Sequence, residues 1–200
     1  MWQALHSELA ADGFTVITVA QDRGADDARE WIEAARPTHP ALVDANWLLA
    51  DLYNIEQVPT MLWIDEEGRI VRPHDTTFGD NTFQSFTGID SAVHRRLLYG
   101  WVREGVHLGA DRVQANLPLP TDDDQLARAE FGLARHLWSV GQRDRAEQHF
   151  IRADELAPAQ FTIRRGSMPM RGKDPMGPEF MAMMAEWVGS GRPLNRVVPE

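Results

Sequence analysis

The sequence predicts a mixed α/β domain followed by an all-α region. Three observations lead to this fold class. Helix-like and strand-like patterns alternate from the N-terminus to residue 71, a hairpin pattern closes this part, and two amphipathic helix patterns fill residues 127–158. Alternating helices and strands favour a mixed sheet whose strands are joined by crossover helices. The 200 residues suit one large domain or two small ones.

The first two elements are a helix and a strand. Trp2, Leu5 and Leu9 recur at helical spacing, and the Asp-Gly pair at 12–13 predicts the end of this helix. Residues 14–20 alternate loosely between apolar and polar, which predicts a strand.

Two more helices follow, with one more strand between them. Residues 26–35 and 46–53 have helical patterns, and the short apolar run at 41–44 predicts the strand. The apolar side chains of each helix share one face, and in the first helix we expect that face to point inward. These side chains are Trp31, Ile32 and Ala35 in the first helix, and Leu48, Leu49 and Leu52 in the second.

A β-hairpin is predicted at residues 60–71. Residues 60–64 are apolar and rich in strand-favouring side chains, and residues 65–68 have the composition of a tight turn. Gly68 is placed to take a positive φ, and the strand pattern resumes at Arg69. Trp63 is expected to pack in the core or on the face of the sheet.

Val58, Pro59 and Thr60 lead into the first strand of this hairpin. A proline has no N–H to donate to a strand ladder, so Pro59 must lie at the start or edge of the sheet. A cis X-Pro bond costs only about 0.5–1 kcal/mol. In the cis form, the backbone N–H and C=O of Val58 would be left to pair with an extended guest chain. In the trans form, Pro59 would simply start the strand.

Composition excludes several classes of function. The net charge of −10 argues against nucleic acid as a partner, because phosphate binding needs a basic face. No apolar run is long enough to span a membrane and the N-terminus does not resemble a signal peptide, so we expect a cytoplasmic protein with no membrane partner. Cysteine is absent, and no two of the seven histidines have helical metal-ligand spacing. We therefore expect no catalytic thiol, no metal and no cofactor.

The middle of the chain predicts a loop, a helix and a connector. Residues 74–84 are polar and contain turn residues, whereas 90–104 predict a helix that Asp90 or Ser91 could cap and Gly105 ends. Its apolar face is expected to consist of Val93, Leu97, Leu98, Trp101 and Val102. We accordingly expect a domain at residues 1–105, a linker at 106–121 and a helical region at 122–200.

Residues 127–158 predict two helices joined at Gly141. Small and large residues at helical spacing indicate that the helices interlock, and Pro158 ends the second one. These residues are Leu133, Ala134, Leu137, Gly141, Ala146, Phe150, Ala153 and Pro158. The pattern resembles one tetratricopeptide repeat, except that Glu130 stands at the position of the leading aromatic residue. An ordinary helical hairpin is the alternative.

The C-terminal part contains a basic segment and a Met-rich helix. Residues 161–177 predict an irregular loop, and its cations Arg164, Arg165, Arg171 and Lys173 suggest a site for an anion or an acidic partner. Alternatively, they neutralise acidic neighbours within the chain. Residues 179–188 predict a short helix whose methionines serve packing rather than recognition.

Residues 53–71, YNIEQVPTMLWIDEEGRIV, resemble the cis-proline hairpin of thioredoxin-like redoxins of the bacterial TlpA/ResA type. The resemblance extends over residues 1 to about 105 and implies a three-layer α/β/α thioredoxin-like domain. It also implies that this domain lacks its first strand and the Cys-x-x-Cys motif, and that a gap would separate neighbouring strands. Only Val58, Pro59 and Thr60 correspond to functional positions of the family, as substrate-binding residues.

Two functional hypotheses follow from the resemblance. In the first, the chain is the downstream part of a thiol–disulfide or selenol oxidoreductase. Its redox motif, with cysteine or selenocysteine, is encoded upstream, and the 200-residue chain is inactive. In the second, the thioredoxin-like domain and the tetratricopeptide-like hairpin form a non-catalytic module that binds a protein or peptide. The sequence indicates no oligomeric state for either.

Overall fold

The computed structural model describes residues 2–24, 26–77, 79–191 and 197–198, and it shows a mixed α/β chain that is mostly helical. The described strands are β1 (Thr18–Ala20), β2 (Ala41–Val43), β3 (Met61–Ile64) and β4 (Ile70–Asp75). The helices of the first part are α1 (Trp2–Leu9), α2 (Arg29–Ala35), α3 (Leu48–Leu52), α4 (Gln84–Thr87), α5 (Ser91–Glu104) and α6 (Ala110–Asn116). The later helices are α7 (Asp122–Ser139), α8 (Arg143–Leu156), α9 (Phe161–Ser167) and α10 (Pro178–Gly189). None of these described helices is long and apolar enough to cross a membrane.

The chain forms two compact units. The α/β unit takes in the described residues of Met1–Trp47, Pro59–Leu117 and Asn195–Glu200, and the helical unit takes in those of Leu48–Val58 and Pro118–Leu194. These units are grouped differently from the predicted domains, because α3 and the residues after it cluster with the C-terminal helices. The predicted linker also contains α6, which packs against β4 in the α/β unit.

The described strands form two separate sheets of two strands each, not the single mixed sheet that the sequence predicted. β1 and β2 are parallel, with Thr18 opposite Ala41, whereas β3 and β4 are antiparallel. The predicted hairpin is confirmed: Gly68 has φ +79° and its N–H donates to the carbonyl of Asp65 at 3.0 Å.

β4 is longer than predicted, since it continues through Pro73 to Asp75. The sequence predicted a loop from His74 because polar residues dominate there. His74 and Asp75 are nevertheless buried, and Asp75 has a charged partner within the unit. Internal pairing of this kind is what allows polar residues to occupy a buried strand.

The core of the α/β unit lies between the hairpin and helices α1 and α5. Its buried members are Leu5, Leu9, Trp63, Val71 and Leu98. The predicted α1 and α5 are confirmed, with a left-handed Gly13 after the 3₁₀ turn that follows α1 and with Asp90 capping α5. The predicted packing of Trp63 is also confirmed, because its ring stacks on Trp101 with centroids 5.1 Å apart.

The predicted inward orientation of α2 is wrong. Trp31 is 76% exposed, and none of the residues of α2 is buried. The β1–β2 sheet contains only two strands of three residues each, so it offers little apolar surface for a helix to cover.

The helical unit is built on the pair α7 and α8, which confirms the predicted helical hairpin with its turn at Gly141. The buried faces interlock through Ala127, Phe131, Ala134 and Leu137 on α7 and Ala146, Phe150 and Ala153 on α8. Leu133, which was expected at this interface, is 44% exposed. α7 begins with a capping box in which Thr121 and Asp124 exchange hydrogen bonds.

Two further helices complete the helical unit. Residues 161–167, predicted as irregular, form α9. The hydroxyl of Thr162 donates to the carbonyl of Ile55 at 2.9 Å, and its N–H donates to that of Glu56 at 3.0 Å. α10 confirms the predicted Met-rich helix, and its Phe180 and Met183 are buried together with Phe161 and Met168.

Candidate functional site

The predicted substrate-binding residues lie in a bend directly before β3. Val58 is 49% exposed, Pro59 is exposed and Thr60 is partly buried. The division between the two compact units falls between Val58 and Pro59. No thiol accompanies these residues, because the chain contains no cysteine.

Three of the four predicted anion-binding residues line one cleft of the helical unit. This charged cleft has a free volume of about 280 Å³. It is bordered by the apolar Met168, Ala182 and Met183 and by the charged residues Asp154, Arg164, Arg171, Lys173, Glu179 and Glu186. The cations there face acidic residues in the same walls, so the cleft has a mixed charge.

Arg171 is the most deeply placed of these cations. It bonds the carboxylate of Glu147 through two nitrogens at 2.5 and 2.8 Å, and it contacts Asp154 at 3.2 Å. Burial raises the pKa of the Asp154 carboxyl above its ordinary value, although the charge of Arg171 acts in the opposite direction. Because Arg171 already binds two carboxylates, its main contribution is to hold α8 against the segment after α9.

The other three cations also have partners within the helical unit. Lys173 pairs with Glu179 at 2.5 Å, and Arg164 donates to the carbonyl of Pro158 at 3.1 Å. Arg165 donates to the carbonyl of Pro175 at 3.0 Å and lies over the ring of Phe180. This arrangement favours the alternative in which the basic residues neutralise and cross-link their own unit, and anion binding by them stays a prediction.

A buried polar cluster in the α/β unit was not anticipated from the sequence. It consists of Arg72 and Asp75 on β4, His94 on α5 and the aromatic ring of Trp63 on β3. Arg72 Nε donates to Asp75 Oδ2 at 2.8 Å, and the guanidinium lies 5.2 Å from the centre of the Trp63 ring. The two charges are therefore paired away from water, where their attraction is strong.

Val198, near the end of the sequence, completes the surroundings of this pair. Arg72 Nη2 donates to its carbonyl at 2.8 Å, and its own N–H donates to Asp75 Oδ1 at 3.2 Å. Burial alone would raise the pKa of Asp75, but the neighbouring His94, the Arg72 guanidinium and the Val198 N–H together hold this pKa below its ordinary value. Asp75 is thus an ionised carboxylate at neutral pH.

His94 connects this cluster with a cleft. Its Nδ1 is 3.8 Å from Asp75 Oδ2, which is too long for a hydrogen bond, and its ring meets Trp63 edge-on. The side chain is only 9% exposed, and neither ring nitrogen has a hydrogen-bond partner among the residues that the structure describes.

The His94 cleft is lined by Trp2, Leu5 and Glu8 of α1 and by Ser91, His94, Arg95 and Tyr99 of α5, with Thr77 and Gly79 at its edge. Its free volume is about 100 Å³. The cleft has room for a small polar group, and the buried side chain of His94 forms part of its wall.

One sequence signal could have located His94. It stands on the helix whose apolar face contains Val93, Leu97 and Leu98, and a histidine next to such a face is a candidate for burial. Its partner Asp75 follows a strand pattern by only a few residues. Metal-ligand spacing was the wrong criterion for this site, and no group of three potential metal ligands occurs within the described ranges.

No family model, curated protein or solved structure matches this chain.

Proposed function

We propose that the α/β unit is a thioredoxin-like redoxin domain, related to thiol–disulfide or selenol oxidoreductases, whose redox motif lies outside this sequence. The chain as given has no thiol and is inactive in thiol–disulfide exchange, since that chemistry requires a thiolate. Protein or peptide disulfides are the substrate class of this proposal.

The observation that carries the proposal is the division of the strands into two separate sheets. If a central strand is missing, a parallel pair should lie on one side of a gap and an antiparallel hairpin on the other. β1–β2 and β3–β4 have these two arrangements. The exposed Ile17 and Leu42 at the parallel pair support the same idea, because they offer apolar surface that an added strand would help to cover.

The bend at Val58, Pro59 and Thr60 supports the proposal in a second way. It directly precedes β3, where a thioredoxin-like domain holds an extended substrate beside its thiolate. The His94 cleft is bordered by Trp2, in the first turn of α1. In the proposed family, the redox motif leads into this helix, so the motif would lie close to an imidazole.

The test is a disulfide-reductase assay on a longer protein that includes the in-frame residues encoded upstream, with cysteine at each redox position. We expect this protein to reduce a peptide disulfide at a rate that replacement of its cysteines by serine abolishes. The 200-residue chain serves as the matched inactive control. A longer protein without activity, although folded by circular dichroism, would contradict the proposal.

A second candidate function is a non-catalytic module that binds a protein or peptide. The exposed leucines of α3 favour it, because Leu48 and Leu52 are 62% and 73% exposed on the helical unit. Exposed apolar side chains that lie on one helix, one turn apart, mark interaction sites more often than isolated exposed side chains do. The tetratricopeptide-like hairpin α7–α8 would then support the binding face.

The second candidate is tested by binding rather than by activity. Leu52→Ser should abolish stable association with a partner isolated on the native chain, whereas Leu119→Ser, at another exposed leucine of the helical unit, should leave it intact. Equal binding by both variants and the native chain would contradict a role for α3.

A further inference from the structure

We propose that Arg72 and Asp75 form a binding site for an extended peptide segment that carries one aliphatic side chain, and that Val198 occupies this site in the structure. The site lies in the α/β unit. It requires neither a redox motif nor the exposed leucines of α3, so it is independent of both functions proposed above.

The contacts of Val198 involve both polar groups of its backbone. Arg72 Nη2 donates to the Val198 carbonyl at 2.8 Å, and the Val198 N–H donates to Asp75 Oδ1 at 3.2 Å. In an antiparallel sheet, one residue exchanges both bonds in the same way with a single neighbour on the next strand. The side chains of Arg72 and Asp75 therefore take the place of a neighbouring strand for one residue of an extended chain.

β4 contains an extra residue between Arg72 and Asp75. Asp75 is opposite Met61 and Arg72 is opposite Trp63, so two steps along β3 face three steps along β4. In a regular strand, residues three apart point to opposite faces of the sheet. The irregularity allows the two side chains to meet at 2.8 Å. β-Bulges that redirect a side chain in this way are frequent at sheet edges and next to active sites.

The charges of Arg72 and Asp75 are better explained by recognition than by stability. Their side chains are almost fully buried, and an apolar pair of similar volume often stabilises a fold as well as a buried ion pair does. An apolar pair, however, cannot bond a peptide backbone. The guanidinium and the carboxylate each bind the other and still offer one donor and one acceptor, which match the C=O and N–H of one residue.

Only one side chain of the bound segment is enclosed. Val198 is 2% exposed, whereas the neighbouring Val197 is 60% exposed. Proteins that bind extended peptides commonly combine backbone hydrogen bonds, which give affinity, with a pocket for a particular side chain, which gives specificity. We therefore expect the partner to be an extended peptide with valine or a similar aliphatic residue at this position.

Val198 is remote in sequence from the residues that bind it. It stands 126 positions after Arg72 and 123 after Asp75. A segment of the same chain is held near its site at an effective concentration of about millimolar. A separate peptide must therefore compete with Val198, and binding is best measured in a full chain whose own Val198 has been altered.

The experiment measures binding of the fluorescent peptide Asn-Arg-Val-Val-Pro-Glu, the sequence of residues 195–200, to the full chain by fluorescence anisotropy. Val198→Asp should vacate the site, because a carboxylate would have to enter a buried position beside Asp75. We expect this variant to bind the peptide about tenfold more tightly than the native chain, or better, since competition is removed. Val197→Asp is the matched control and should bind as weakly as the native chain.

Substituted peptides test which side chain is recognised. Aspartate in place of the second valine, which corresponds to Val198, should abolish binding to the Val198→Asp chain. Aspartate in place of the first valine, which corresponds to the exposed Val197, should leave binding unchanged. Equal binding of the two substituted peptides would overturn the proposal.

The fold of the variants is checked by near-ultraviolet circular dichroism, which detects the stacked Trp63 and Trp101. If Val198→Asp does not fold, Val198→Ala takes its place, because it keeps both backbone hydrogen bonds and only shortens the side chain. It should also bind the peptide more tightly than the native chain, by a smaller factor. Equal binding by the native chain and by the folded variant would overturn the proposal.

Discussion

Substitution of Asp75 by asparagine is expected to destabilise the α/β unit by about 3–5 kcal/mol, because it removes one partner of a buried ion pair. The side chains of Arg72 and Asp75 are only 5% and 6% exposed, so solvent cannot compensate the remaining charge. Asparagine preserves the size of the side chain and its Oδ1 acceptor for the Val198 N–H. The loss would therefore report the charge of Asp75 rather than a cavity.

Urea unfolding measures this effect when it is followed by near-ultraviolet circular dichroism, which detects the stacked Trp63 and Trp101. A matched control is Asp12→Asn, because the pair of Asp12 with Arg103 is about 40% exposed and should contribute only about 0–1 kcal/mol. Similar losses in the two variants would refute the reasoning that burial makes the Arg72–Asp75 pair important. The double variant Arg72→Met with Asp75→Leu should recover much of the stability, because it removes both buried charges.

Three further predictions concern pH and backbone conformation. Folding lowers the pKa of Asp75, so the stabilisation by its charge is complete above the ordinary pKa of about 3.9 and is lost as the pH falls through the lower folded value. The difference in free energy of unfolding between the native chain and Asp75→Asn should therefore shrink as the pH is lowered through this range. The pKa shift of Asp154 has the opposite sign: the pKa is raised, so stability is lost as the pH rises from about 3.9 through the folded value. Asp154→Asn should therefore reduce the slope of the free energy of unfolding of the helical unit against pH in this range. Equal slopes for the native chain and the variant would contradict this prediction. Gly68→Ala should lower stability by about 1 kcal/mol because φ is +79° at this turn, whereas Gly132→Ala in the interior of α7 should raise it by about 0.5–1 kcal/mol. Thermal unfolding measures both changes. Changes of the same sign would refute the placement of Gly68 in a positive-φ turn and of Gly132 in a helix.

Local patterns predicted most of the elements, because they depend on neighbours in sequence. The hairpin turn at Gly68, the cap at Asp90 and the helix pair around Gly141 follow from turn and capping chemistry, and the structure confirms them. The end of β4 was missed because burial of Asp75 depends on Arg72 and His94, and the latter comes from a distant helix. Polar residues that are paired in the fold read as a loop in the sequence.

Long-range arrangement was harder to predict. A helix pattern with Trp31 on one face predicts an inward side chain only if a large sheet is present to receive it, and the β1–β2 sheet is small. Grouping of α3 with the helical unit likewise depends on bonds between distant residues, such as those of Thr162 with Ile55 and Glu56. The candidate site escaped notice for the same reason, since Trp2 and His94 are brought together only by the packing of α1 and α5.

We propose above that the α/β unit is a thioredoxin-like domain whose central strand and redox motif are encoded upstream of Met1. The most direct measurement is the sequence of the genomic DNA immediately before the codon for Met1. The proposal predicts an open reading frame there that encodes an apolar strand followed by Cys-x-x-Cys, or by the same motif with a UGA codon at a cysteine position. An in-frame stop of another type, with no encoded strand and no redox motif before Met1, would contradict the claim.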